Sequence, residues 1–211
     1  MQLLEDLQKE HQLIERVLGA LRTFAARLVR GEAPLADLER FATFFRVYAG
    51  AFHHEREEEI LFPALGSAAA LPLDRGPVAV LLDDHHQMAK TLEQLWVATD
   101  PAMIEKLAIQ YSHALWQHID VENMVFFPEC EAQLRRNGVP ELDGRRASQE
   151  EMAAALVGES LAAAYPPMEP DAIRGDGCVM CHAYGETCQG LEREWWNDWA
   201  WEELDSHVAA S

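Results

Sequence analysis

The sequence carries one pattern twice, and this repeat constrains the fold more than any other feature. The copies occupy residues 53–63 and 118–128, and each ends in Phe-Pro. Each copy begins with a histidine and has a glutamate four residues later, at Glu57 and Glu122. On a helix this spacing places both side chains on one face. Imidazole and carboxylate presented twice suit a pair of first-row metal ions, iron in particular.

Composition narrows the classes of partner and the cellular location. The 211 residues include 17 basic and 36 acidic side chains, giving a net charge of −19. Such a surface repels nucleic acid phosphates and anionic membranes, so neither is predicted as a partner. No signal-peptide pattern precedes the first helical pattern and no apolar stretch approaches a membrane span, so the expected location is cytoplasmic. The four cysteines are then expected to be thiols or metal ligands.

Apolar residues recur at steps of three and four through most of the chain, which predicts long amphipathic helices. The expected helices span 3–30, about 35–65, from Pro77 to before Asp100, and from Pro101 to about 136, with a loop at 66–76. Four long helices with short connections predict an all-α, up-down-up-down antiparallel four-helix bundle. The expected domains are the bundle at 1–136 and a C-terminal appendage at 137–211.

Two further histidines lie in otherwise aliphatic helix faces, His11 in the first helix and His85 in the third. His86 is the alternative to His85, but it would point about 100° away from the apolar face. We therefore expect His86 at the surface, and His113 is not assigned to the site. Carboxylates near a core need a compensating charge, which a metal ion would supply.

These residues resemble the hemerythrin-like, or HHE cation-binding, domains, over about residues 1–136. The resemblance implies a non-haem di-iron centre bridged by the two carboxylates and by oxo, hydroxo or water. It implies that four histidines are terminal ligands and that two glutamates bridge. The implied set is His11, His53, His85, His118, Glu57 and Glu122.

The chain departs from the oxygen-carrying hemerythrins at two places. Those proteins have a second histidine one turn after the third-helix ligand, where this chain has Ala89, and their last carboxylate follows His-x-x-x-x-Asp. Here it follows His118-x-x-x-Glu122. We therefore expect a more symmetric centre with four histidine ligands, closer to the iron-repair and sensing branches. Tyr48 and Tyr111 are interpreted as packing residues, with hydrogen bonding near the ligands as the alternative.

Three functions are compatible with such a centre. The first is binding or sensing of O2, NO or iron state. The second is an oxidoreductase that reduces peroxide or NO, with the C-terminal thiols as electron donors. The third is iron delivery to damaged iron-sulfur clusters through a protein partner. A structural zinc or manganese site stays open, because histidine and glutamate do not exclude those ions.

The C-terminal appendage carries its own signals. Ser148 and Glu151 form a capping-box pattern that predicts a short helix to about Ala164, followed by a proline-rich linker. The segment beyond it contains Cys178, Cys181, His182 and Cys188, which would serve as a zinc or iron site, a redox dithiol, a c-type haem attachment or inert thiols. A Trp-rich acidic helix predicted at 191–205 would dock on the bundle, on a second subunit or on a partner protein.

Overall fold

The computed structural model describes residues 1–167, and all regular structure in this range is helical, without a strand. The all-α prediction is confirmed for these residues, and the up-down-up-down order stays a prediction. The α-helices are α1 Gln2–Val29, α2 Asp37–Phe44, α3 Phe62–Ala69, α4 Gly76–Val97, α5 Pro101–Val121, α6 Phe127–Arg136 and α7 Gln149–Ala164. Three π-helical segments join them: π1 Phe45–His54, π2 Glu57–Leu61 and π3 Glu122–Phe126.

Both copies of the repeated pattern widen into a π-helical turn at the same place. π2 begins at Glu57 and π3 begins at Glu122, and in each the closing N–H donates to the carbonyl of that glutamate, five residues back. The Phe-Pro of each copy follows directly. A proline ring clashes with the carbonyl four residues earlier and lacks an N–H, so the local hydrogen bonding must change. The Phe-Pro signature therefore shapes the backbone beside each glutamate.

Two apolar clusters fill the bundle, one on each side of a polar layer. Along α1, Leu7 belongs to one cluster, Ile14 belongs to the other, and His11 lies between them. The same order recurs in α4, where His85 lies between Leu81 and Met88. α1 and α4 both pack along α5, and α3 packs against α6. The ligand candidates therefore lie in one buried layer that crosses the bundle.

The predicted short helix is present as α7 and packs on the outside of the bundle. Ser148 accepts a hydrogen bond from the Glu151 backbone and the Glu151 carboxylate accepts one from the Ser148 N–H, which is the predicted capping box. α7 contacts α1, α2 and π1. Tyr165, just after α7, donates to Asp37 Oδ2 at 2.5 Å. Whether 137–211 is a separate domain stays a prediction.

The boundary of the predicted loop at 66–76 was wrong. The helix continues through α3 to Ala69 and ends at Ala70, which adopts a left-handed conformation with φ of 54°. Alanine has the highest intrinsic helix propensity, so the alanines at 68 and 69 are compatible with a helix that continues past Gly66 and Ser67. In the region 1–167, no helix has the length and apolar character needed to cross a membrane.

Candidate metal centre

All six histidines and glutamates predicted as ligands come together in the buried layer. Together with His54 they form two groups whose donor atoms lie within 4.8 Å of one another: His11, His53, Glu57 and Glu122 in the first, and His54, Glu57, His85 and His118 in the second. Donors on opposite sides of an ion at about 2.1 Å lie about 4 Å apart, so each group has the dimensions of a metal site. We call these the His11 group and the His54 group.

The two glutamates each turn one oxygen toward each group. Glu57 Oε1 lies 3.7 Å from His53 Nε2, and its Oε2 lies 3.5 Å from His85 Nε2. Glu122 Oε2 lies 3.2 Å from His11 Nε2, and its Oε1 lies 3.1 Å from His118 Nε2. This is the placement that a carboxylate bridging two ions requires.

His54 was missed by the sequence prediction. It is buried, and its ring stacks on His85 with centroids 3.9 Å apart and planes 10° apart. The symmetric centre with four imidazole ligands stays a prediction, to which the structure adds His54 as a further candidate: the His54 group contains three imidazoles and the His11 group contains two. The available signal was the spacing of His54 and Glu57, since residues three apart on a helix are also neighbours. The backbone of π1 is π-helical, so α-helical periodicity does not predict the direction in which His54 points.

Each of the four predicted histidine ligands is held by a hydrogen bond at Nδ1 from a different helix. His53 contacts Glu10 Oε2 at 2.9 Å, His11 contacts Asn123 Oδ1 at 2.9 Å, and His85 contacts Glu58 Oε1 at 2.7 Å. His118 contacts Asp84 Oδ2 at 3.4 Å. With the proton on Nδ1, the lone pair of Nε2 faces the centre, as in metal-binding histidines.

These four contacts form a closed ring around the bundle. α1 orients a histidine of the second long helix, which runs from α2 to α3, and that helix orients a histidine of α4. α4 in turn orients a histidine of the fourth long helix, which runs from α5 to α6, and that helix orients a histidine of α1. Every supporting residue is the sequence neighbour of a ligand candidate. The pairs are Glu10–His11, Glu57–Glu58, Asp84–His85 and Glu122–Asn123.

The centre contains buried polar atoms that the protein itself does not satisfy. Within residues 1–167, Nε2 of three histidines and both carboxylate oxygens of Glu57 and Glu122 make no hydrogen bond of normal geometry, although the Glu122 oxygens lie close to the imidazoles of His11 and His118. The histidines are His11, His53 and His54. Buried polar atoms are almost always hydrogen-bonded, and leaving several unpaired is costly. Because all of them face the two groups, the residues present fit two bound cations.

The pKa values of the two glutamates differ because their surroundings differ. Burial and the nearby charge of Glu122 raise the pKa of Glu57 well above its usual range. Burial also opposes ionisation of Glu122, but the charges of His118 and His11 hold its pKa well below the usual range. Although burial alone would lower it, Glu122 raises the pKa of His118 to about 9. Bound cations would replace the protons on Glu57 and His118.

The two remaining histidines among residues 1–167 are placed as the sequence suggested. His86 is exposed, and His113 is exposed and lies 3.4 Å from Gln117. Tyr111 is buried and packs edge-on against Phe45, with ring centroids 5.1 Å apart. The candidates Cys178, Cys181, His182 and Cys188, together with the Trp-rich segment, lie outside the described residues, so their interpretation stays a prediction.

Residues 2–130 match the model of the hemerythrin HHE cation-binding domain. The match covers more than half of the chain and includes every member of both donor groups. The chain belongs to the hemerythrin HHE family. No curated protein and no solved structure is similar enough to match. The family is a cation-binding one, and the two buried histidine and glutamate groups are able to hold metal ions, for which imidazole and carboxylate ligands favour iron.

Proposed function

We propose that this protein is a non-haem di-iron protein that binds O2 or NO, or responds to the iron state of its surroundings. The observation that carries the proposal is the position of Glu57 between the two donor groups, with Glu122 spanning the same gap. Two adjacent cations joined by carboxylates account for all the unpaired buried oxygens at once. A single ion would leave half of them unsatisfied.

The residues of the centre would hold the ions and orient what binds them. Glu57 and Glu122 would bridge, and the histidines would occupy terminal positions through Nε2. Bound iron supplies one-electron redox chemistry and an open position for a diatomic ligand. The His11 group offers two imidazoles against three in the His54 group, so it leaves more room for an added ligand.

Binding or sensing is favoured over reversible oxygen carriage. The fifth imidazole, His54, comes from the second long helix, while the third helix has Ala89 where oxygen carriers have a histidine. The ligand set is therefore arranged differently from that of the carriers, although the number of imidazoles is similar. This difference supports the sensing and repair side of the family.

Metal analysis combined with an optical spectrum tests the proposal. The full-length protein is purified without oxygen, its metals are quantified, and spectra are recorded before and after oxygen is added. We expect about two irons per chain and a near-ultraviolet charge-transfer band that grows on oxygenation. Irreversible oxidation supports sensing or repair, and full reversal on degassing supports carriage. One zinc ion and no iron would contradict the di-iron proposal.

A further inference from the structure

The two donor groups share their carboxylates, so the carboxylates do not make one group bind an ion more tightly than the other. Glu57 and Glu122 each turn one oxygen toward each group. An ion in either group would therefore meet both glutamates. The groups differ instead in their imidazoles, since the His54 group has three and the His11 group has two.

Two imidazoles of the His54 group already converge on one point. The Nε2 atoms of His85 and His118 lie 3.0 Å apart. Adjacent ligands at about 2.1 Å from one octahedral ion are separated by about 3 Å. These two histidines therefore have the spacing of neighbouring ligands of one ion.

The residues that hold the imidazoles of the His54 group add negative charge. His85 contacts Glu58, and His118 contacts Asp84. Within residues 1–167, neither of these carboxylates forms an ion pair with a lysine or an arginine. Two uncompensated negative charges therefore lie next to the His54 group.

The corresponding partners next to the His11 group carry no net charge. His11 contacts the neutral amide of Asn123, and His53 contacts Glu10. Arg56 compensates the charge of Glu10, because the two residues form a buried ion pair. A cation in the His11 group would therefore gain less from its surroundings than a cation in the His54 group.

Solvent also reaches the buried layer from the side of the His54 group. His54 is 8 % exposed and His85 is 6 % exposed, whereas His11 and His53 are each 1 % exposed. The two uncompensated carboxylates are partly exposed on the same side. A cation that approaches from solvent is therefore attracted to the His54 group first.

We propose that the two metal positions fill in order, the His54 group first and the His11 group second, because Asn123 is neutral and Arg56 cancels the charge of Glu10. This inference rests on the proposed two-ion centre. Partners outside the ligands change metal affinity by raising the basicity of the imidazoles, and an uncompensated carboxylate does so more than an amide. The protein then holds one iron when iron is scarce and two when it is abundant. The occupancy of the His11 group therefore reports the iron level.

Anaerobic titration of the metal-free, full-length protein with Fe²⁺, in competition with a chelator of known affinity, tests this order. We expect two ions per chain, with dissociation constants that differ by at least about tenfold. His54→Ala should weaken the tighter step by at least about tenfold. His11→Ala should leave the tighter step within about threefold of the wild-type value, because His11 belongs to the other group.

Asn123→Asp tests the effect of charge in the opposite direction. It replaces an amide by a carboxylate of nearly the same size and should tighten the weaker step about threefold or more. Gln110→Glu adds the same charge at an exposed position of α5 away from the centre and should leave both steps unchanged. Asp84→Asn should weaken the tighter step about tenfold, whereas Asp83→Asn, at its exposed neighbour, should not.

Two ions of equal affinity would overturn the ordered filling. Loss of the tighter step in His11→Ala would also overturn it, as would an Asn123→Asp variant that binds the second ion no more tightly than Gln110→Glu does. Binding of one ion in total would contradict the two-ion centre as well, so failure of the order alone can be recognised by a stoichiometry of two. Circular dichroism of each metal-free variant establishes that it is folded, and the partly exposed positions of Asn123 and Asp84 keep the test independent of the buried histidines.

Discussion

His54 lies face to face with His85, with ring centroids 3.9 Å apart, and both belong to the same donor group. Replacing His54 by alanine should lower the affinity for one of the two ions by at least about tenfold. His54→Phe keeps a stacked ring but lacks the donor nitrogen, so it should show the same loss. Anaerobic iron titration with elemental analysis measures both.

The matched control is His86→Ala, which removes an exposed neighbour of His85. It should bind two ions as wild type does. Wild-type stoichiometry and affinity in His54→Phe would show that His54 packs against His85 without acting as a ligand.

The buried pair of Glu10 and Arg56 supports His53 from outside the centre. Glu10→Gln leaves the Arg56 charge without its partner and should lower the free energy of unfolding by about 3–5 kcal/mol. Iron affinity should fall about 10–100-fold, because the hydrogen bond to His53 Nδ1 weakens. Urea unfolding and iron titration measure the two effects separately.

Combining Glu10→Gln with Arg56→Met should restore most of the stability but not the affinity. Glu39→Gln, on the exposed surface of α2, is the control for loss of one carboxylate. If the double variant also regains wild-type affinity, Glu10 acts on stability alone.

α7 is held close to the bundle at Gly158. A Cβ at this position would lie 2.6 Å from Phe44 Cδ2 and 3.1 Å from Val17 Cγ2. Gly158→Ala should therefore destabilise the protein by about 1–3 kcal/mol, which exceeds the roughly 0.5–1 kcal/mol that alanine contributes to a helix. Thermal unfolding measures the loss, and the iron content should stay unchanged.

Ala153→Gly, at an exposed position of the same helix, measures helix propensity alone. It should lower the free energy of unfolding by about 0.5–1 kcal/mol. A more stable Gly158→Ala variant would contradict close packing of α7 on Phe44.

Ionisation of Glu151 makes the free energy of unfolding decrease as the pH falls. The hydrogen bond from Arg145 holds the pKa of Glu151 at about 2, against an ordinary 4.5. Because the folded-state pKa is the lower one, the stabilisation is complete above pH 4.5 and is lost as pH falls toward 2. Glu151→Gln retains a side chain that can complete the capping box but removes the charge.

The wild-type protein should exceed this variant by about 1 kcal/mol at neutral pH, and the difference should shrink between pH 4.5 and 2. Urea unfolding at a series of pH values measures it. A difference that stays constant down to pH 2 would contradict the Arg145–Glu151 interaction.

The sequence predicted the helices and most of the centre because both depend on periodicity. Steps of three and four placed His11 and His85 in the core and His86 at the surface, as the structure has them. His54 was missed because uniform α-helical geometry was assumed where the backbone is π-helical. The supporting residues Glu10 and Asp84 were also missed, since their partners lie on other helices and the contact depends on tertiary packing.

The ring of supporting hydrogen bonds has a consequence for protein engineering. A ligand candidate and the residue that orients the next helix's histidine occupy adjacent positions, so each helix contributes one dipeptide with two roles. Transplanting the centre into another scaffold would require those four dipeptides and three further histidines rather than a long set of scattered substitutions. The scaffold would also have to keep each helix at the same rotation about its own axis. Rotating one helix would misplace its own metal ligands and also the histidine that it orients on the next helix.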